Sequence, residues 1–253
     1  MTLVVLAHPN DAAAARLVHR WRPHGARLML PRDLSRAGWR MYVGGRGEEW
    51  FVADGERCQT STLRGVLTRL PVVEPAMLPH LHAGDRDYVA TEMTAFLIAW
   101  LAKLRCTVLN RPTAASMLGP NVGNDRLPSL AARQGIRLVK RSPGSHESAP
   151  LPNPCASVTV VGERWFGSIP AALGAQAVRL AAAVGASLMT AQYVADDSRP
   201  SDQPDEMITG PGDAQGRDGG VAALLGAELL VDTDKPEIAD AVLELLQRQS
   251  EPA

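Results

Sequence analysis

The chain has 253 residues, 45% of them hydrophobic, with 26 Lys plus Arg against 27 Asp plus Glu and a formal net charge of −1. That is enough for one large domain or two small ones, and near-neutral charge without a long basic run excludes nucleic acid and anionic membranes as implied partners. No apolar run reaches the roughly 20 residues of a membrane span.

The first residues, MTLVVLAHPND, lack the basic segment and small-residue cleavage site of a secretory signal. Residues 2–7 are continuously apolar, as expected for an inner strand of an α/β sheet. His8-Pro9-Asn10-Asp11 then turns the chain, and Asn10 or Asp11 can cap a helix running to about Arg22. Residues 27–30 read as a second strand. From 36 to 60 the texture changes to aromatics and glycines, and WRMYV with EWFVADGERCQ reads as a small antiparallel meander turning at Asp54-Gly55. Residues 65–70, GVLTRL, return to a strand, and prolines 71, 75 and 79 make the next connection irregular.

Residues 85–112 are the best-defined stretch. Val89, Met93, Phe96, Leu97, Trp100, Leu101 and Leu104 recur at helical steps, with Asp85 as the expected cap and Asp87 in the first turn. Residues 106–109 suit a covered strand, ended by Asn110-Arg111-Pro112 because proline cannot continue a ladder. A short helix at 126–134 closed by Gly135 and a strand at 136–140 follow. Residues 141–155 are rich in Pro and Ser without apolar periodicity and read as linker.

Beyond it, residues 157–161 and 164–168 flank Gly162-Glu163 as a hairpin, and 170–184 form an alanine-rich helix ended by Gly185. Residues 186–194 are another strand. Residues 195–220 read as a polar loop, and two short helices are expected to close the chain, the last at 236–247. The predicted fold is α/β: an open, mainly parallel N-terminal sheet with flanking helices at 1–140, a linker at 141–156, and a smaller α+β part at 157–253.

Cys58, Cys106 and Cys155 are few, odd in number and widely spaced, which suits a reducing cytoplasm and forms no metal motif. His80 and His82 lack further ligands at metal spacing. The acids 196, 197, 202, 205 and 206 lack the regular spacing of a calcium loop, and Ser142–Ser145 lacks that of a P-loop. A candidate ligand groove remains. His8 follows the first strand, where open α/β sheets bind ligands. Arg69 and Arg111 end strands and can fork onto a carboxylate or phosphate. Asn110 lies beside Arg111, and Glu92, on a largely apolar helix, is expected to need an arginine partner.

Gly65-Val66-Leu67-Thr68-Arg69, Glu92 within the long helix, and Cys106-Thr107-Val108-Leu109-Asn110-Arg111-Pro112 together resemble the pre-ATP-grasp domain of ATP-grasp ligases, in the branch that modifies peptides or ligates amino acids. LPSLAARQGIRLV is similar to the end of that domain, so the likeness covers about residues 1–140. VTVVGERWFGSIP, a helix and SLMTAQYV look like the family's late hairpin, helix and strand. In that family the strand leads to acidic and amide magnesium ligands, commonly E-x-N-x-x-P, for which this chain offers Asp205-Glu206-Met207-Ile208-Thr209-Gly210-Pro211-Gly212-Asp213. Between the matches the family places a small lid carrying two lysines. The linker is too short for it, and of the three lysines (Lys103, Lys140 and Lys235) only Lys140 is near.

Transfer of a γ-phosphoryl group to a carboxylate needs such fixed cations. The resemblance therefore implies a shortened, non-catalytic relative acting as a binding or partner subunit, as a homodimer or with an active ligase or its peptide, with no cofactor. An active ATP- and magnesium-dependent carboxylate–amine ligase or other enzyme, its nucleotide site atypical or shared across a dimer, and a small-molecule-binding protein are the alternatives.

Overall fold

The computed structural model describes residues 1–44, 47–114, 116–120, 122, 126–139, 153–195 and 222–248. In chain order its first half contains β1 (Thr2–Ala7), α1 (Ala12–Trp21), β2 (Ala26–Met29), α2 (Pro31–Leu34), β3 (Trp50–Ala53), β4 (Glu56–Gln59), β5 (Leu63–Arg69), α3 (Arg86–Lys103) and β6 (Thr107–Leu109). The second half contains α4 (Leu127–Arg133), β7 (Ala156–Val161), β8 (Arg164–Phe166), α5 (Ala171–Val184), β9 (Leu188–Ala195), β10 (Ala222–Glu228) and α6 (Pro236–Arg248).

β1 is buried along its whole length, which requires both faces of its sheet to be covered. It pairs in parallel with β2 and β5, and β5 with β6, in the order β2-β1-β5-β6. One face meets α3 and the β3-β4 hairpin through Val4, Leu6, Val66 and Val108. Trp39 there packs edge-on to Phe96 and Trp100, at 5.2 and 5.4 Å between ring centroids. The opposite face, Leu3, Val5, Leu67 and Leu109, meets α1 together with α6 from the far end of the chain.

β7 to β10 form a second sheet, antiparallel, in the order β10-β9-β7-β8. Val158, Val160, Met189 and Tyr193 face α5 and α4. Gly185, at φ 81°, ends α5 in the left-handed conformation that glycine adopts without steric cost. Packing contacts cross the expected linker at 141–156 in both directions: α4 packs with the second sheet, and α6 with the first.

The α/β architecture follows the predicted order, with four local differences. Asp85 precedes α3 but makes no capping hydrogen bond. Glu92 is exposed, not near a core, because it falls outside the buried row Ala90, Leu97, Trp100 and Leu101. The strand expected at 136–140 is reduced to one bridge between Leu138 and Leu224. The first of the two closing helices is instead strand β10, whose alanines and leucines pair with β9.

Residues 140–152, holding most of the expected linker and the Ser142–Ser145 turn, and residues 196–221, holding the acidic loop and the 205–213 segment, lie outside the described residues. Among the described residues no helix is long and apolar enough to cross a membrane.

Candidate functional site

The carboxyl ends of β1, β5 and β6 lie side by side at one rim of the parallel sheet and carry His8, Arg69 and Asn110. His8 Nδ1 accepts the Asn10 N–H at 2.9 Å, closing the turn into α1. Asp11 caps α1 through the Ala14 N–H and accepts from Arg69 Nε at 2.8 Å. Arg69 is 7% exposed and its remaining arm donates to the Val231 carbonyl at 2.9 Å, tying β5 to the segment after β10. Burial by itself raises the Asp11 carboxyl. Hydrogen bonds from Arg69, Ala14 and Ala13, with the Arg69 charge, outweigh that and hold it below the ordinary carboxylate range.

Asn110 adopts φ 54° and joins the two sheets. Its Oδ1 accepts from the Ser187 and Leu188 N–H groups, both at 3.0 Å, and its Nδ2 donates to the Leu188 carbonyl at 2.6 Å. Arg111 closes the end of α3, donating to the carbonyls of Leu101, Ala102, Leu104 and Cys106. Those carbonyls lack helical donors, so the guanidinium supplies what the helix end leaves open. Glu92 stands apart on the exposed side of α3. The rim therefore brings His8, Arg69 and Asn110 together, with Arg111 adjacent and Glu92 elsewhere.

A cleft of about 240 Å³ opens on the face of the antiparallel sheet turned away from α5. Its floor comes from strand register: Ser157 lies opposite Gln192, and Thr159, Thr190 and Glu228 form a row across β7, β9 and β10. The Thr159 and Thr190 hydroxyls are 3.2 Å apart, and Gln192 Nε2 donates to Glu228 Oε1 at 3.1 Å. Leu230, Asp232, Lys235 and Ile238 form the wall, where the chain leaves β10 and enters α6.

No protein-family model and no curated protein matches the sequence. Solved structures do. The macrocyclase MdnC of Microcystis aeruginosa MRC, bound with precursor peptide MdnA, superposes with a TM-score of 0.66 at 11% identity, over 98% of this chain and 100% of that one. The ligase PsnB complexed with minimal precursor gives 0.65 at 13% identity, over 99% of each chain. A RiPP-associated ATP-grasp ligase of Chryseobacterium gregarium, in complex with ADP and a leader and core peptide, gives 0.65 at 9% identity, over 100% and 98%. This is the ATP-grasp fold.

β10 ends in Glu228, opposite Thr190 of β9, and Leu230 follows in the cleft wall. The cleft lining holds no acid and asparagine at the E-x-N spacing. Leu230 offers no oxygen ligand, and one Glu228 oxygen accepts from Gln192. Among the described residues no three His, Cys, Asp or Glu side chains cluster closely enough to hold a metal ion. Residues 205–213, set against the motif in the sequence, lie outside the described residues, and Gln192, Glu228, Asp232 and Lys235 were not among the residues expected to form a site.

The cysteines do not extend the site. Burial pushes the Cys106 thiol up to about 11 and raises Cys58, the direction of an unreactive structural thiol.

Proposed function

We propose that this protein is a non-catalytic relative of the peptide-modifying ATP-grasp ligases, a binding or partner subunit in peptide or amino-acid ligation. The observation that carries the reading is Leu230 in the cleft wall, with Glu228 hydrogen-bonded to Gln192. Magnesium is held through carboxylates and phosphate oxygens in near-octahedral geometry, and a leucine offers it nothing. The short stretch between residues 140 and 157, with one lysine, supports the same conclusion, because a two-lysine lid needs more chain. The structural neighbours MdnC and PsnB are complexes with precursor peptides. The partner here is accordingly a peptide of that kind, an active ligase, or a second copy of this chain.

The test is a thermal-shift titration with magnesium and ATP on the full chain. A ligand that binds only the folded state raises the melting temperature in proportion to its occupancy. No saturable shift is expected. A saturable shift removed by Glu228→Gln would replace this reading with an active ligase using an atypical site. Co-purification with a ligase encoded beside this gene is the second expected result, and failure to bind such a ligase or its peptide counts against the partner role.

A further inference from the structure

The charges around the cleft divide into two sets. Those just outside it are paired: Arg16 with Asp234, Arg20 with Asp240, and Arg69 with Asp11. Those lining it, Glu228, Asp232 and Lys235, are exposed and form no salt bridge among the described residues, although the Arg16 charge acts on Asp232. One concavity therefore presents two carboxylates and one ammonium that do not neutralise each other.

The rest of the lining limits what can bridge them. Leu230 and Ile238 give the wall an aliphatic patch between the polar groups. α6 begins at Pro236, directly after Lys235, so the positive end of a 13-residue helix reinforces the lysine. At about 240 Å³ the cleft is smaller than the roughly 300–1,000 Å³ of sites for drug-sized ligands. The floor is also open beside Glu228. Gly226 lies opposite Gln192 on the same face, and a Cβ built there meets no atom within 4 Å.

We propose that this cleft binds a free α-amino acid with an aliphatic side chain. The ligand's ammonium is held by Glu228 and Asp232, its carboxylate by Lys235, and its side chain lies against Leu230 and Ile238. A peptide of ordinary length does not match, because its two termini are too far apart to meet both charge sets in so small a space. The inference rests on reading the cleft as free of phosphoryl-transfer chemistry.

The experiment is a calorimetric titration of the full chain with L-leucine at neutral pH, beside N-acetyl-leucine, leucinamide and, separately, magnesium with ATP. Leucine is expected to bind saturably. Each derivative lacks one ligand charge and is expected to bind at least about tenfold more weakly. Lys235→Met should weaken leucine by about tenfold, as for leucinamide. Gly226→Leu should abolish binding by filling the open floor, with unchanged circular dichroism confirming the fold. Absence of saturable leucine binding overturns the proposal, as do equal affinities for leucine and its two derivatives. Stabilisation by magnesium and ATP would instead overturn the non-catalytic reading, whatever the leucine arms show.

Discussion

A single amide, that of Asn110, links the edge of the first sheet to the start of β9 by three hydrogen bonds of 3.0 Å or less. Replacing it with alanine leaves two N–H groups and a carbonyl unpaired, and forces an L side chain without local hydrogen bonding into φ 54°. Asn110→Ala should cost about 2–4 kcal/mol, read as a lower urea midpoint. Asp11 offers a pH test. Its folded pKa is depressed, so its contribution is complete above the unfolded value of about 4 and disappears as pH falls below it. The acid-induced loss of stability between about pH 4 and 2 should be smaller in Asp11→Asn than in the parent. If the two chains lose stability in parallel, the Arg69 pair contributes nothing. Arg69, Asn110 and Arg111 were readable as polar residues at strand ends. Their partners were not, because most are backbone carbonyls and amides, which carry no side-chain signature.

Elements with a local cause were legible in advance. α3 follows from its apolar spacing, α5 from alanine content with Gly185 at its end, and the β3-β4 hairpin from Asp54-Gly55, both at positive φ. β10 was hidden for the opposite reason. Its residues AALLGAE favour a helix by intrinsic propensity, and only pairing with β9, nearly 30 residues earlier in sequence, makes a strand. A further expectation concerns how α5 sits on its sheet. A Cβ on Gly174 would lie 2.3 Å from the indole of Trp165. Alanine is the better helix former by about 1 kcal/mol, yet Gly174→Ala should destabilise by a net 1–2 kcal/mol or so, because the ring must move. A higher melting temperature in this variant would mean that Trp165 yields freely.

At the scale of the molecule, the two sheets share a core. Val161 and Leu188 of the second pack with Leu3, Val5 and Leu67 of the first around Ile238, Val242 and Leu246 of α6. Chains with separate cores unfold in separate steps, whereas a shared core couples them. Tryptophan fluorescence, which samples Trp21, Trp39, Trp50 and Trp100 in the first half and Trp165 in the second, and far-ultraviolet circular dichroism should therefore give superimposable urea transitions. Two resolved transitions would show that α6 and Asn110 do not couple the halves. Legibility ended at this level, because the position of α6 depends on contacts across more than 200 residues.

The same contact orders events in time during synthesis. The face of β1 bearing Leu3 and Val5 meets α1 soon after synthesis, but α6, which completes its cover, lies at 236–248. At about 5–20 residues per second, that face waits on the order of ten seconds or more for its cover. Through that interval the nascent chain carries a half-covered apolar strand, the kind of exposed hydrophobic segment that chaperones bind.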